Sequence, residues 1–159
     1  MATVSPFEGL QMPRELACEF FAVFSRFEFA LKKEGYVYVN RFGRAAPDWN
    51  RFAESAASAL DVEIGSDFEA AINYLTSESP QVQVSAQGWS PAPLRGSTRA
   101  SQAFDAVQRV RNNLFHGGKH TPHSPPGRDE KLVRLSLVVL QACLAQDDNL
   151  RATYEQHVF

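Results

Sequence analysis

The sequence predicts an all-α protein, a compact helical bundle of five to six helices, and three observations lead there. Apolar residues recur at steps of three and four over several long stretches, which is the period of a helix with one buried face. Ser, Thr and Asp open those stretches and glycines close them, as helix caps do. Two-residue alternation, the mark of a half-buried strand, is hinted at only by Val82 and Val84, and no internal repeat is present.

The first helix covers residues 13–34, where Leu16, Phe20, Val23, Phe27 and Leu31 form an apolar seam that ends before Gly35. At 100° per residue Phe24 joins the seam, Phe21 and Phe29 fall outside it and Glu28 lies on its flank. Phe21 and Phe29 therefore need another surface, either a neighbouring helix or the partner in a dimer. The run YVYVNRFGRA leads to a second, shorter helix, with Pro47 suited to its first turn and Trp49, Phe52, Ala56 and Leu60 on one face. Ser66 and Glu69 have capping-box spacing ahead of Phe68, Ala71, Ile72 and Leu75, so a third helix ends near Thr76.

Residues 77–96 carry Pro80, Gly88, Pro91, Pro93 and Gly96 and read as a long irregular surface loop. Ser97 or Thr98 caps the fourth helix, which runs through Ala100, Ala103, Val107, Val110 and Leu114 and stops at Gly117 and Gly118. After the polar loop KHTPHSPPGR, Asp129 is placed to cap a fifth helix over residues 130–145. Its apolar residues cover most of the circumference apart from Glu130, Arg134 and Gln141, so it belongs at the centre of the bundle. A last short helix is expected over residues 149–157.

At 159 residues and 44% apolar composition, the chain suffices for one helical domain spanning residues 1–159. The longest stretch free of charge and turn formers, residues 135–145, is shorter than the roughly 18–20 residues of a membrane span, so no membrane contact is expected. A basic start followed by an apolar run is missing from MATVSPFEGLQMPREL, and the expected location is cytoplasmic. Cys18 and Cys143 both fall in apolar helical patterns and read as buried thiols.

The net charge of −2 is unevenly spread. Residues 52–94 hold six carboxylates and no Lys or Arg, whereas residues 95–134 hold eight Lys and Arg against three acids. The second segment suits local contact with a polyanion, although the isoelectric point near 6.1 excludes a general nucleic-acid glue.

The chemistry concentrates in RVRNNLFHGGKH, at the end of the fourth helix. Arg111 offers a planar guanidinium that grips a phosphate through two N–H bonds. A histidine titrates near neutrality, so His116 is able to take or give a proton, and Asn112, four residues earlier on one face, is placed to orient its ring. Asp105 and Arg109 continue the polar face. Residues five apart on a helix point about 140° away from each other, so Arg111 and His116 do not converge within one regular helix. Either His116 lies past the helix end or the cleft is assembled by a twofold dimer.

Arg111, Asn112 and His116 in RNNLFH, within the wider string RNNLFHGGK, with SRFEFALK in the first helix and RDEKL opening the fifth, resemble the HEPN superfamily (higher eukaryotes and prokaryotes nucleotide-binding). The likeness covers roughly residues 16–145, without the loop at 77–96. It implies a metal-independent endoribonuclease that leaves 2′,3′-cyclic phosphate ends, with no cofactor, acting as a homodimer in a toxin or phage-defence role. In that reading His116 moves the proton of the 2′-hydroxyl or of the leaving oxygen, Arg111 stabilises charge at phosphorus and Asn112 positions His116 or the phosphate. The partners implied are RNA, a second copy and an antitoxin or regulatory protein. One position departs: Gly118 stands where toxin members paired with a small nucleotidyltransferase often carry Tyr. The alternative implied by the same superfamily is a non-catalytic module that binds RNA or a protein.

Further candidates surround the motif. Glu28 either faces the motif helix as a supporting acid or pairs with Lys32 on its own helix. Arg109, Lys119 and His120 are candidate RNA contacts, and Lys119, His120 and Arg128 read as a solvated basic loop. His116, His120 and His123 lack the thiolate and fixed spacing of a zinc site, so no metal is expected. Trp49 reads as core, whereas Trp89 is open to stacking on a base.

Overall fold

A computed structural model describes residues 3–56, 66–116 and 124–156, which hold six helices and two short antiparallel hairpins. The helices are α1 (Arg14–Lys33), α2 (Trp49–Ala56), α3 (Asp67–Ser77), α4 (Arg99–Phe115), α5 (Arg128–Gln146) and α6 (Asp148–Glu155). The first hairpin, β1 (Val37–Val39) with β2 (Ala45–Pro47), joins α1 to α2, and the second, β3 (Val82–Gln83) with β4 (Trp89–Ser90), lies between α3 and α4. The fold is all-α. None of the described helices is long and apolar enough to cross a membrane.

As its all-round apolar character demands, α5 is central and packs on α1, α3, α4 and α6. It buries Leu132, Val133, Leu137, Val139, Leu140, Cys143 and Leu144. On the opposite side an aromatic cluster joins α1, α2 and α4. Phe27 stacks on Trp49 at 5.4 Å between ring centres, and Phe104 lies 5.2 Å from Phe52 and 5.7 Å from Trp49. Offset and edge contacts of this kind add about 0.5–1.5 kcal/mol per pair beyond the area they bury.

Local chemistry sets the helix starts. Ser66 Oγ accepts from Glu69 N at 3.1 Å to open α3. Thr98, and not Ser97, caps α4: its Oγ1 accepts from Ser101 N at 3.1 Å while Ser101 Oγ accepts from Thr98 N at 3.0 Å. That closed box explains Gly96, whose φ of +105° favours glycine and where a Cβ would stand 2.2 Å from Ser101 Oγ.

Several expectations give way. Pro47 ends β2 instead of starting α2, and the carboxylate of Asp48 accepts from Arg51 N at 3.1 Å as the true cap. Asp129 does not cap α5; that helix starts at Arg128, two residues before the expected start, after Gly127 in the left-handed region, and Asp129 is buried in its first turn. Residues 77–96 are not irregular throughout, since Val82 pairs with Ser90 and Gln83 with Trp89. The rest of that segment is held by side-chain donors. Arg128 donates to the carbonyls of Glu78 and Ser79, Asn113 to Gln81, and Arg109 to Ala92 and Pro93. Few backbone partners exist for a proline-rich segment, so its carbonyls take N–H groups from neighbouring helices.

Cys18 is exposed, contrary to the periodicity, whereas Cys143 is buried and burial pushes its thiol up to about 12. The thiolate is the nucleophile. A disulfide reagent at pH 8 is therefore expected to leave Cys143 unmodified until denaturant is added. Two fast-reacting thiols without denaturant would contradict this packing.

Candidate functional site

While α4 packs against α2, α3 and α5, side chains of its last turns meet α1, with Phe115 on Phe20 and Arg111 over Phe24. The guanidinium of Arg111 lies over the Phe24 ring at 5.2 Å from the centre, its Nη1 donates to Asn112 Oδ1 at 2.8 Å, and its Nη2 is 4.0 Å from Glu28 Oε2. The other carboxylate oxygen of Glu28 accepts from Trp49 Nε1 at 3.2 Å. Glu28 thus faces the motif helix, clamped between an indole N–H from α2 and a guanidinium from α4.

The consequence for Arg111 is a held orientation. A ring covers one face, an amide oxygen takes one N–H, and a carboxylate anchored by Trp49 stands at the margin of ion-pair distance. A third of the side chain remains exposed. Such a guanidinium keeps N–H groups free to meet a phosphate without first being ordered, which is where a fork of fixed donors gains over a flexible ammonium.

His116 is the C-cap of α4. Its backbone N–H still donates to Asn112 O at 3.0 Å, and the side chain is exposed beyond the last regular residue. Asn112 is exposed too, but its amide oxygen is engaged by Arg111, so it orients the guanidinium. Among the described residues no hydrogen bond joins the side chains of Arg111, Asn112 and His116 into one cluster around the imidazole. The structure brings together Glu28, Arg111 and Asn112, with His116 at the adjoining helix end.

Arg109 is placed elsewhere. It is buried, its guanidinium 2.9 Å from Asp105 Oδ2 and donating to Ala92 O at 2.7 Å and to Pro93 O. Asp105 is buried as well and also binds Arg95, accepting from its backbone N at 3.0 Å and its Nε at 2.8 Å. The polar face expected to continue through Asp105 and Arg109 is therefore an internal tie to residues 92–95, not an RNA-contacting surface. Arg128 is likewise no solvated loop residue, since it holds the carbonyls that follow α3. Lys119, His120 and His123, with the glycines after His116, lie outside the described residues. Among those described, no group of three His, Cys, Asp or Glu is gathered as metal ligands would be.

Two features went unread in the sequence. The β1–β2 hairpin presents Tyr38, Phe42, Arg41 and Arg44 to solvent, with Arg41 over the Phe42 ring at 4.7 Å. Its signal was the alternation Val37-Tyr38-Val39 followed by Asn40 and Gly43, and Asn40 Oδ1 indeed accepts from Phe42 N and Arg44 N. The second is an apolar groove of about 300 Å³ beside the His116 end of α4, lined by Phe7, Leu10, Cys18, Phe21, Leu114 and Phe115. Phe21, 58% exposed, packs edge-on against Phe115 at 5.4 Å. No protein-family model, curated protein or solved structure matches the chain.

Proposed function

We propose that the chain is a HEPN-type, metal-independent endoribonuclease, a homodimer whose motif helices share one cleft. The observation that carries this reading is the held guanidinium of Arg111, fixed by Phe24, Asn112 and the Trp49-anchored Glu28, with His116 exposed at the same helix end. A preorganised phosphate donor beside an exposed imidazole suits transfer at phosphorus within an RNA strand. In that reaction the 2′-oxygen forms a bond to phosphorus and the bond from phosphorus to the 5′-oxygen breaks. The 2′-hydroxyl gives up its proton, the departing oxygen gains one, and the product ends are a 2′,3′-cyclic phosphate and a 5′-hydroxyl. Water is not consumed and no oxidant is needed.

The apolar groove supports the dimer. It borders Leu114 and Phe115, next to His116, and exposes Phe7 and Phe21 where a second copy would cover them. A twofold axis there would set two Arg111 and two His116 side chains about one phosphate, so that an Arg111 of one copy and a His116 of the other act together. The test is cleavage of a mixed-sequence RNA by the purified full chain in chelator, with end-group analysis of the products and the molecular mass in solution. Cyclic-phosphate ends and a dimeric mass are expected. Other ends would overturn the reaction, and a monomer that cuts would overturn the shared cleft.

A further inference from the structure

Next to the Arg111 cluster lies a polar cleft of about 190 Å³ between the β1–β2 hairpin and the first turns of α4. Tyr38, Asp48, Asn50, Arg95 and Gln108 line it, and the core rings Trp49 and Phe104 form its apolar floor. The volume is below the about 300 Å³ at which pockets begin to enclose drug-sized ligands, so it admits a single ring system and not a whole cofactor. We propose that this cleft is a base-binding subsite for the single-stranded RNA that reaches Arg111, an inference that rests on the ribonuclease reading.

Its position joins it to the site. Trp49 in the cleft floor donates to Glu28, which faces Arg111. Gln108 in the cleft wall precedes Arg111 by three residues on α4, hence about 4.5 Å along the same side of the helix. A nucleotide seated in the cleft is thus a neighbour of one held by Arg111.

The lining fits a base better than a phosphate. Asp48 brings a carboxylate to the cleft, which repels an anion there, whereas the charge of Asp105 is taken up by Arg95 and Arg109; Asp48, Asn50 and Gln108 supply acceptors and donors for a base edge. Tyr38 is 51% exposed and offers a ring to stack on, as base-tolerant single-strand binders do. Among the described lining residues the one cation is at the rim. Arg95 has its Nε and backbone N–H fastened to buried Asp105, yet 77% of its side chain is exposed, so its free end is aimed outward from a fixed root. That arrangement suits the phosphate flanking an inserted base. Beyond the cleft, Phe42 with Arg41 and Arg44 extends the same aromatic and basic surface along the hairpin.

The experiment uses the full chain and a fluorescein-labelled, mixed-sequence 2′-O-methyl RNA decamer, which lacks the attacking hydroxyl and is bound without being cut. Fluorescence anisotropy is expected to show Tyr38→Ala weakening binding about tenfold, as removal of one base stack does, with Tyr38→Phe near wild type. Arg95→Gln is expected to weaken binding and to reduce its salt dependence by about one phosphate contact. A melting curve accompanies each variant. Titration of the wild-type chain with cytidine 5′-monophosphate, followed by NMR, is expected to shift the Trp49 indole and the Asn50 and Gln108 side-chain amides, which needs no substitution. Wild-type affinity in Tyr38→Ala and Arg95→Gln, no binding of the decamer by the wild-type chain, or unshifted cleft signals would each overturn the subsite. The two readings fail separately. A chain that cuts RNA but binds it independently of Tyr38 keeps the nuclease and loses the subsite, whereas Tyr38-dependent binding with no cutting keeps the subsite and loses the nuclease.

Discussion

His116→Ala is expected to lower the rate of RNA cleavage in chelator by about 100-fold or more, the scale on which a positioned acid or base acts. The chain should melt as the wild type does, because His116 is exposed at the end of α4 and contributes its backbone, not its ring, to the helix. Arg111→Ala is expected to cost a similar factor through the lost stabilisation of charge at phosphorus. Arg111→Lys should recover only part of it, since an ammonium is a point charge that cannot reproduce the fork held by Asn112 and Phe24. Glu28→Gln keeps an oxygen for the Trp49 indole and removes only the charge facing Arg111, so its effect should be smaller than either. Co-expressing His116→Ala and Arg111→Ala chains under two affinity tags tests the shared cleft. Mixed dimers would retain one intact Arg and one intact His, and are expected to regain measurable cleavage. Unchanged cutting by His116→Ala would sink the mechanism, and silent mixed dimers would place each site within one chain.

Much of the fold was legible because helices write themselves in a local period. Leu16, Phe20, Phe27 and Leu31 on α1, and Ala103, Val107, Val110 and Leu114 on α4, are buried as their spacing predicted, and the near-uniform apolar girth of α5 put it at the centre. Boundaries were legible where one side chain decides, as Ser66 does for α3, and where an apolar seam runs out before a glycine, as at the end of α1. What stayed hidden is long-range. Asp105 and Arg109 look like one more turn of a polar helix face, and nothing local says that residues 92–95 fold back over them to use both charges. Glu28 had two equal readings on its own helix, and the choice fell to Trp49 and Arg111 from two other elements. The short strands were faint for a different reason: three residues give an alternation too brief to outweigh the helical signals on either side.

The largest effect on stability is expected at Asp105. Its carboxylate is buried with the guanidinium of Arg109 at 2.9 Å, and it also takes two N–H bonds from Arg95. Asp105→Ala removes the carboxylate that, among the described residues, pairs with Arg109, and it strands a cation beside the carbonyls of Ala92 and Pro93, in a place where its own side chain is 10% exposed. Breaking a buried pair in this one-sided way costs about 3–5 kcal/mol, which for a chain of this size lowers Tm by roughly 10 °C. Asp105→Asn should be milder, because an amide oxygen still accepts from Arg95. The double variant Asp105→Ala with Arg109→Met should recover much of the loss, since two apolar groups replace two charges that had to be taken out of water. Thermal melts of the four chains give the coupling directly. A loss below about 1 kcal/mol in Asp105→Ala, the ceiling for solvent-exposed pairs, would show that water reaches the carboxylate and that residues 92–95 do not depend on it. A large coupling would mean that the charge joining α4 to that segment is also what roots Arg95 at the rim of the cleft, so that the wall of the proposed base subsite and the stability of the bundle rest on one buried carboxylate.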